Sequence, residues 1–505
     1  MSLRESFWRF LRREDFLPAL TILTAAALWL PGAASSLWRD EAITSWIIKD
    51  GWAETFRRAS DFQEWSGAYF LFMKAWAAVF GQSEAALRLP SLAAAAAAGY
   101  GIFLLGKKLR DRETGLLAAL AFCSSGALVF SAADARPYAL AAAFAVWSTL
   151  NLAALPDPDS RKTVFAYVLF TVLAVYSHVM FAGLLAVHAL YCGCRYFEDR
   201  RCGARLLAAY GLVLLFLLPL AGPARHILNR AASLMFAGPP PAKALLFTVI
   251  PPALAAALAA ALAAGLLAAG GFRALAKKLK PLPASVLALT AGLALLPPLA
   301  FLLLSQFSGP GLWVPRYFLY SQAGAALCAG IILRSLEPGR TRRLAAAAFA
   351  AAALLAYGRL AHSNEDWRLA ARWAAAQAHN LSVPVLFVSP YVESNQSSWL
   401  SDPRKAAYLS APLSYYPVGA RVLILPEKHT GAGENYAFEI IKNTAREEAG
   451  AAVLSAGGPA YDDWLDRRFG EYNFFRAEYR RRRDISSALF LPRLSPWPAE
   501  KPRKP

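Results

Sequence analysis

Two acidic side chains stand side by side at Asp40 and Glu41, in the run Leu37-Trp38-Arg39-Asp40-Glu41 that follows the first long apolar stretch of the chain. Acids there can touch both water and lipid headgroups. A carboxylate binds protons more readily when partly buried or beside a second acid, so the pair suits general-base chemistry. The same two residues also suit a helix start, because acids in a first turn meet the positive end of the helix dipole. Arg88, Arg136 and Arg316 each stand at one end of an expected span, where depth makes a lone charge costly and favours a functional partner; snorkelling to headgroups is the alternative. Lys74 allows the same two readings, phosphate contact or headgroup anchoring. His178 can bind substrate, join an acid in holding a divalent metal, or serve as a hydrogen-bonded structural residue. Glu64 is either a second acid or an exposed loop charge.

These residues need elements to position them, and composition says what kind. Of the 505 residues 57% are hydrophobic and 17% charged, with a mean hydropathy of +0.35. That is too little charge for an ordinary soluble chain, so lipid is the expected solvent for much of it. The net charge of +19 sits in short clusters between apolar runs rather than along one face, which excludes a nucleic-acid surface. The five cysteines imply no disulfide framework. The first apolar run reads as a retained signal anchor.

A span needs roughly 20 apolar residues. Eleven runs qualify as candidates: 16–35, 89–105, 116–131, 138–155, 164–177, 179–191, 206–222, 244–270, 283–305, 317–333 and 344–358. Basic clusters occupy the N-terminus and alternate loops, including Lys107, Lys108, Arg110 and Arg112, Arg195 to Arg205, and Arg334 to Arg343. The positive-inside rule then puts the N-terminus in the cytoplasm and everything after the eleventh run outside. The stretch 69–80, interrupted by Lys74, would invert every later loop if it spanned, so it reads as an amphipathic helix on the outer surface. The expected organisation is a membrane domain over 1–358 with its first outer loop at 36–88, an extracytoplasmic α/β domain over 359–491, and a Pro-rich, basic, disordered tail over 492–505. In the α/β domain, 383–388 and 421–425 read as strands, and 366–378 and 436–448 as helices.

An ordered series of short motifs runs from residue 38 to 320: Trp38-Arg39-Asp40-Glu41; Lys74-Ala75-Trp76, leading to Phe80-Gly81-Gln82-Ser83-Glu84 and Leu87-Arg88-Leu89-Pro90-Ser91; Ala135-Arg136-Pro137-Tyr138; Tyr176-Ser177-His178; and Pro315-Arg316-Tyr317. In this series the chain resembles the GT-C superfamily of polyprenyl-phosphate-dependent glycosyltransferases, especially the group with protein O-mannosyltransferases and lipid A aminoarabinose transferases. The resemblance implies a polytopic α-helical membrane protein of the cytoplasmic membrane, with its active site on the outer face. It implies Asp40 as the base, with Glu41 beside it, Arg88, Arg136, Arg316 and Lys74 around the donor phosphate, and Tyr138, His178, Tyr317 and Glu64 at the substrate. The donor would be a polyprenyl-phosphate sugar, the acceptor a hydroxyl of a lipid, glycan or protein, and the only cofactor in question a divalent metal. Where many members carry a Pro-Pro pair, this chain has Gln63-Glu64-Trp65-Ser66-Gly67, which leaves subgroup and acceptor open. A transporter or lipid flippase is the alternative class; it is disfavoured because the spans keep their charges at the ends rather than at the midplane.

Overall fold

A computed structural model of the chain describes residues 16–63, 67–155, 161–222, 240–269, 282–308, 313–336, 339–357, 365–429 and 431–493. Glu64 and most of the expected tail, 494–505, lie outside the described residues. Contacts divide the chain into two units, Met1–Ala34 with Gly51–His362, and Ser35–Asp50 with Ser363–Pro505.

The first unit is helical, and each of the eleven expected apolar runs falls on helix, two of them on a bent pair of helices. Among the described residues, Phe16–Ala34, Glu84–Leu109, Val179–Glu198, Arg200–Leu220 and Ala284–Gln306 are long and apolar enough to cross a membrane, and two bent pairs raise the count from five to seven if each is one span. The chain is thus a polytopic membrane protein. The other four helices, Tyr138–Ala154, Arg161–Ser177, Leu319–Arg334 and Gly339–Tyr357, have 17, 17, 16 and 19 residues. At about 1.5 Å per residue the shorter ones cover about 25 Å, a little under a hydrocarbon core of about 30 Å. Length alone therefore counts fewer spans than the pattern of apolar runs.

Local chemistry explains the breaks. The first bent pair, Arg112–Cys123 and Gly126–Ala132, meets at 66°. Asp111 caps the first helix by accepting from Thr114 N at 2.8 Å, and Ser125 caps the second by accepting from Leu128 N at 3.3 Å. A fresh cap lets a helix restart in a new direction. The second pair, Lys243–Val249 with Leu254–Ala264, bends by 64° across Ile250-Pro251-Pro252, where proline lacks an amide donor and clashes with the preceding turn.

Charges that the sequence places in separate basic loops meet at one end of the helix set. Arg334 Nε lies 2.7 Å from Asp111 Oδ2 and 3.4 Å from Glu113 Oε2, and Arg342 pairs with Glu113. Arg316 stands before the opposite end of the helix Leu319–Arg334. The two ends of that helix thus carry different ionic groups.

The helix expected at the outer surface is present as Gly67–Phe80. Tyr69, Phe70 and Met73 are buried, while Leu71, Phe72, Val79 and Phe80 are exposed. Its outward face is apolar rather than polar, as suits contact with lipid.

Small residues bring the helices close. A Cβ on Gly324 would sit 2.4 Å from Ala294 N and 2.7 Å from Leu293 Cβ, and one on Gly115 would sit 2.2 Å from Phe103 O. Backbone is the obstacle in both cases, so only glycine lets these helices approach as they do.

The second unit is α/β. Strands β1 (Val385–Val388), β2 (Val422–Leu425), β3 (Ala451–Ser455), β4 (Phe474–Arg482) and β5 (Ile485–Pro492) form one sheet in the order β2-β1-β3-β5-β4. β1 pairs parallel with β2 and β3, while β5 is antiparallel to both β3 and β4. The helix Trp367–Leu381 packs Trp367, Ala370, Ala371, Ala374 and Ala378 with Val385 and Phe387. Trp464, Leu465 and Phe469 of the helix Gly458–Gly470 and Ile441 of the helix Ala432–Glu447 pack with Leu386 and Val388. Alternate strand residues thus enter two cores, as the strand period of two dictates.

Residues 35–50 belong to this unit, so the loop expected over 36–88 is divided between the two units. The reason is apolar burial: in the helix Arg39–Ile48 the side chains of Ala42, Ile43, Trp46, Ile47 and Ile48 are buried, and the Trp46 ring meets that of Tyr408 at 5.8 Å.

Replacing Gly324 with valine should force its helix from its neighbour and cost roughly 1–3 kcal/mol through overpacking. Gly193→Ala should be neutral, because nothing lies within 4 Å of a Cβ there. Thermal unfolding in detergent checks this; equal midpoints for the two variants would refute the close approach.

Candidate active site

The acidic pair sits in the first turn of the helix Arg39–Ile48 and has different surroundings for each member. Glu41 is fully buried, and its Oε2 accepts from the backbone N–H of Trp38 at 3.2 Å. It therefore does the capping that the helix-start reading expects. Asp40 is half-buried. It is the member that a reactant could reach.

What surrounds Asp40 is held by residues far along the chain. Arg39 Nε lies 2.5 Å from Glu365 Oε1, Arg39 N donates to Glu365 Oε2 at 2.9 Å, and Arg39 Nη1 donates to Pro390 O at 2.8 Å. Glu365 is in turn held by Trp367 Nε1 at 2.7 Å. Tyr391 Oη donates to Arg39 O at 2.7 Å, and Leu37 N donates to Tyr416 Oη at 2.9 Å. Five of these hydrogen bonds grip two residues, Leu37 and Arg39, on the N-terminal side of the acid. Burial works against the charge on Arg39, but Glu365, by its charge and its hydrogen bond, together with Asp40 and Tyr391 holds the guanidinium above its ordinary value. Burial, then Tyr408, Asp40 and Glu365, push the Tyr391 phenol well above its usual range. It stays protonated and keeps its bond to Arg39 O.

The first unit gathers most of the other expected residues. Arg316 Nε donates to Tyr138 Oη at 3.0 Å, with its guanidinium carbon 5.5 Å from the Tyr138 ring centre. The His178 ring lies 5.2 Å from that of Tyr138 and 4.9 Å from that of Tyr317. Tyr138 and His178 are almost wholly buried. His178 Nδ1 accepts from Met180 N at 3.3 Å, which places the ring proton of the neutral imidazole on Nε2. Arg136 is 7% exposed and donates to Gln63 Oε1 at 3.2 Å. Arg136 and Arg316 are both within electrostatic reach of His178. Four motifs that are separate in the sequence, at 63, 136–138, 178 and 316–317, thus form one cationic and aromatic cluster.

Arg88 has a different setting. It is fully buried, and its Nη1 donates to the carbonyls of Ala33 at 3.0 Å and Gly32 at 3.3 Å. These carbonyls belong to the 3₁₀ turn that ends the first apolar segment, where helix geometry leaves acceptors unsatisfied. Arg88 thereby anchors that segment. Lys74 lies half-buried on the helix Gly67–Phe80, whose Trp76 Nε1 donates to Ala86 O at 2.9 Å. Among the described residues no three His, Cys, Asp or Glu side chains gather in a way that could hold a metal ion.

Glu365 and Tyr391 escape a reading of the sequence. Their partner Arg39 lies 326 and 352 positions away, and a lone Glu or Tyr in a globular domain carries no motif.

Two solved structures share this fold. ArnT from Cupriavidus metallidurans in the apo state superposes with a TM-score of 0.57 at 12% identity, over 93% of this chain and 97% of that chain. ArnT from the same organism bound to undecaprenyl phosphate gives 0.55 at 13% identity, again over 93% and 97%. ArnT is a GT-C glycosyltransferase, so the fold implied by the motif series is the fold found. No family model matches the sequence, and no curated protein matches it in sequence.

Arg39→Gln and Glu365→Gln should each lower stability by about 1–3 kcal/mol, because each leaves a desolvated partner behind. The double variant should lose less than the sum of the two. Thermal unfolding of all three checks this; strictly additive losses would show that the pair does not couple.

Proposed function

We propose that the chain is an inverting glycosyltransferase that moves a sugar from a polyprenyl-phosphate carrier to a hydroxyl of a lipid, glycan or protein acceptor at the outer face of the membrane. The observation that carries this reading is the full-length fold likeness to ArnT, which in one of the two structures is bound to undecaprenyl phosphate. The local geometry supports it in each unit.

In the proposed reaction the acceptor oxygen attacks the anomeric carbon while its proton passes to the Asp40 carboxylate. The bond between the anomeric carbon and the phosphate oxygen breaks, and its electron pair leaves with the carrier phosphate. A single displacement of this kind inverts the anomeric centre. The leaving phosphate gains negative charge, which the guanidinium groups of Arg136 and Arg316 stabilise as fixed donors. Tyr138, His178 and Tyr317 supply mutually tilted rings and a ring N–H for the substrate. Glu41 holds the helix start, Arg88 the end of the first apolar segment, and Lys74 and Glu64 keep the roles that the resemblance implies.

The two bent helix pairs are a feature that transporters also use. Both breaks here lack charge, Ser124-Ser125 in one and Ile250-Pro251 in the other, whereas ion and proton pathways are marked by ionisable groups within the spans. The transferase reading therefore stands ahead of the flippase.

Membranes containing the chain, given a radiolabelled polyprenyl-phosphate sugar and an envelope extract as acceptor source, should show transfer that Asp40→Asn lowers about 10²- to 10⁴-fold, the usual contribution of a positioned base. Arg316→Gln should lower it as well. Equal transfer by the unaltered chain and Asp40→Asn would remove Asp40 from its role, and movement of labelled lipid across sealed vesicles without covalent transfer would favour a flippase.

A further inference from the structure

The second unit contains a cleft that the transfer reaction does not use. It has a volume of about 260 Å³ and opens among Ser35, Ser36, Arg368, Arg372 and Arg483. Arg368 and Arg372 are one turn apart on the helix Trp367–Leu381. Arg483 sits in the tight turn between β4 and β5, with φ of 57°, at the end of the run Arg480-Arg481-Arg482-Arg483.

Three guanidinium groups from two separate elements thus converge on one space. Two acids also line the cleft, Glu365 and Asp366, and each has a cation outside the lining beside it. Glu365 is held by Arg39 at 2.5 Å. Asp366 Oδ1 caps Leu369 N at 3.3 Å, and its Oδ2 lies 3.7 Å from Arg482 Nε. The charge balance of the cleft is positive with both acids counted.

We infer that this cleft binds a phosphate group. Several forked guanidinium donors around one cavity match the spread of oxygens on a phosphate. The Ser35 and Ser36 side chains add hydroxyl groups at the same wall, and Ser36 Oγ accepts from Arg368 N at 3.1 Å, which fixes its place at the helix start. The cavity is far larger than one water requires, so a phosphodiester fits as well as a free phosphate. Ser35 is the next residue after the apolar segment Phe16–Ala34, which makes a lipid headgroup one source of the phosphate; a soluble or acceptor-borne phosphate is the other. The inference does not rest on the transfer reading, and Asp40→Asn should bind phosphate as the unaltered chain does.

The test uses the purified full chain in an uncharged detergent, titrated calorimetrically with inorganic phosphate and with glycerol 3-phosphate. Saturable binding is expected, weakened at least about tenfold, or about 1.4 kcal/mol, by the pair Arg372→Gln and Arg483→Gln. Both arginines are exposed, so the thermal midpoint should hold. Ser35→Asp, which adds a negative charge to the wall and keeps every arginine, should weaken binding likewise. Arg136→Gln with Arg316→Gln should leave a saturable site, which separates this cleft from the cluster in the first unit. Equal binding by the unaltered chain and the Arg372/Arg483 pair, or no saturable binding at all, would overturn the inference. Repeating the phosphate titration in nanodiscs distinguishes the sources. Loss of the signal in phosphatidylglycerol but not in phosphatidylcholine assigns the cleft to an anionic headgroup, and retention in both assigns it to a soluble or acceptor phosphate; either result affirms the site.

Discussion

Hydrocarbon solvates neither charge nor unpaired backbone, and that constraint accounts for where the chain keeps its polar groups. The helix Leu319–Arg334 shows it within one element: Arg316 stands before its first turn among Tyr138 and His178, and Arg334 closes its last turn against Asp111 and Glu113. Between these ends the helices pack through alanine and glycine, with Gly115 and Gly324 touching backbone of their neighbours. Reactive groups thus have only the helix ends and the segments beyond them in which to gather. The cluster of Arg136, Tyr138, His178 and Arg316 gathers at such an end.

The Asp40 segment obeys a different force. Its helix is amphipathic in no simple sense, since nearly every side chain from Glu41 to Ile48 is buried, and so it needs a protein surface to cover it. The C-terminal α/β unit supplies that surface, and Glu365, Tyr391 and Tyr416 fix the backbone just before the acid. The division of labour within the acidic pair follows. A carboxylate that caps its own helix start, as Glu41 does, has one oxygen engaged by the backbone and is fully buried, while its neighbour Asp40 is half-buried. The α/β unit is thereby more than an attached module: it holds the residue to which the transfer reading assigns the proton.

The likeness to ArnT at 12% identity over nearly the whole of both chains has a physical explanation. A span asks only for a run of apolar residues with small ones at the crossings, and Ala, Leu, Val and Phe exchange freely there at little cost. Sequence drifts while the order and packing of helices stay.

The sequence by itself determined the solvent, the positions of eleven apolar helical runs, two strands and two helices of the C-terminal unit, and the short motifs, because apolar length and the periods of helix and strand are local properties. It did not reveal β4, whose Arg476-Ala477-Glu478-Tyr479-Arg480 face is that of a polar edge strand with little apolar alternation. Only the tertiary structure decided that residues 35–50 leave the membrane unit, that Glu365 and Tyr391 serve Arg39, that Arg88 caps a helix end, and that three arginines from two elements share a cleft. Each of these is a contact between residues tens to hundreds of positions apart, specified by the way surfaces cover one another and by no pattern within a window of neighbouring residues.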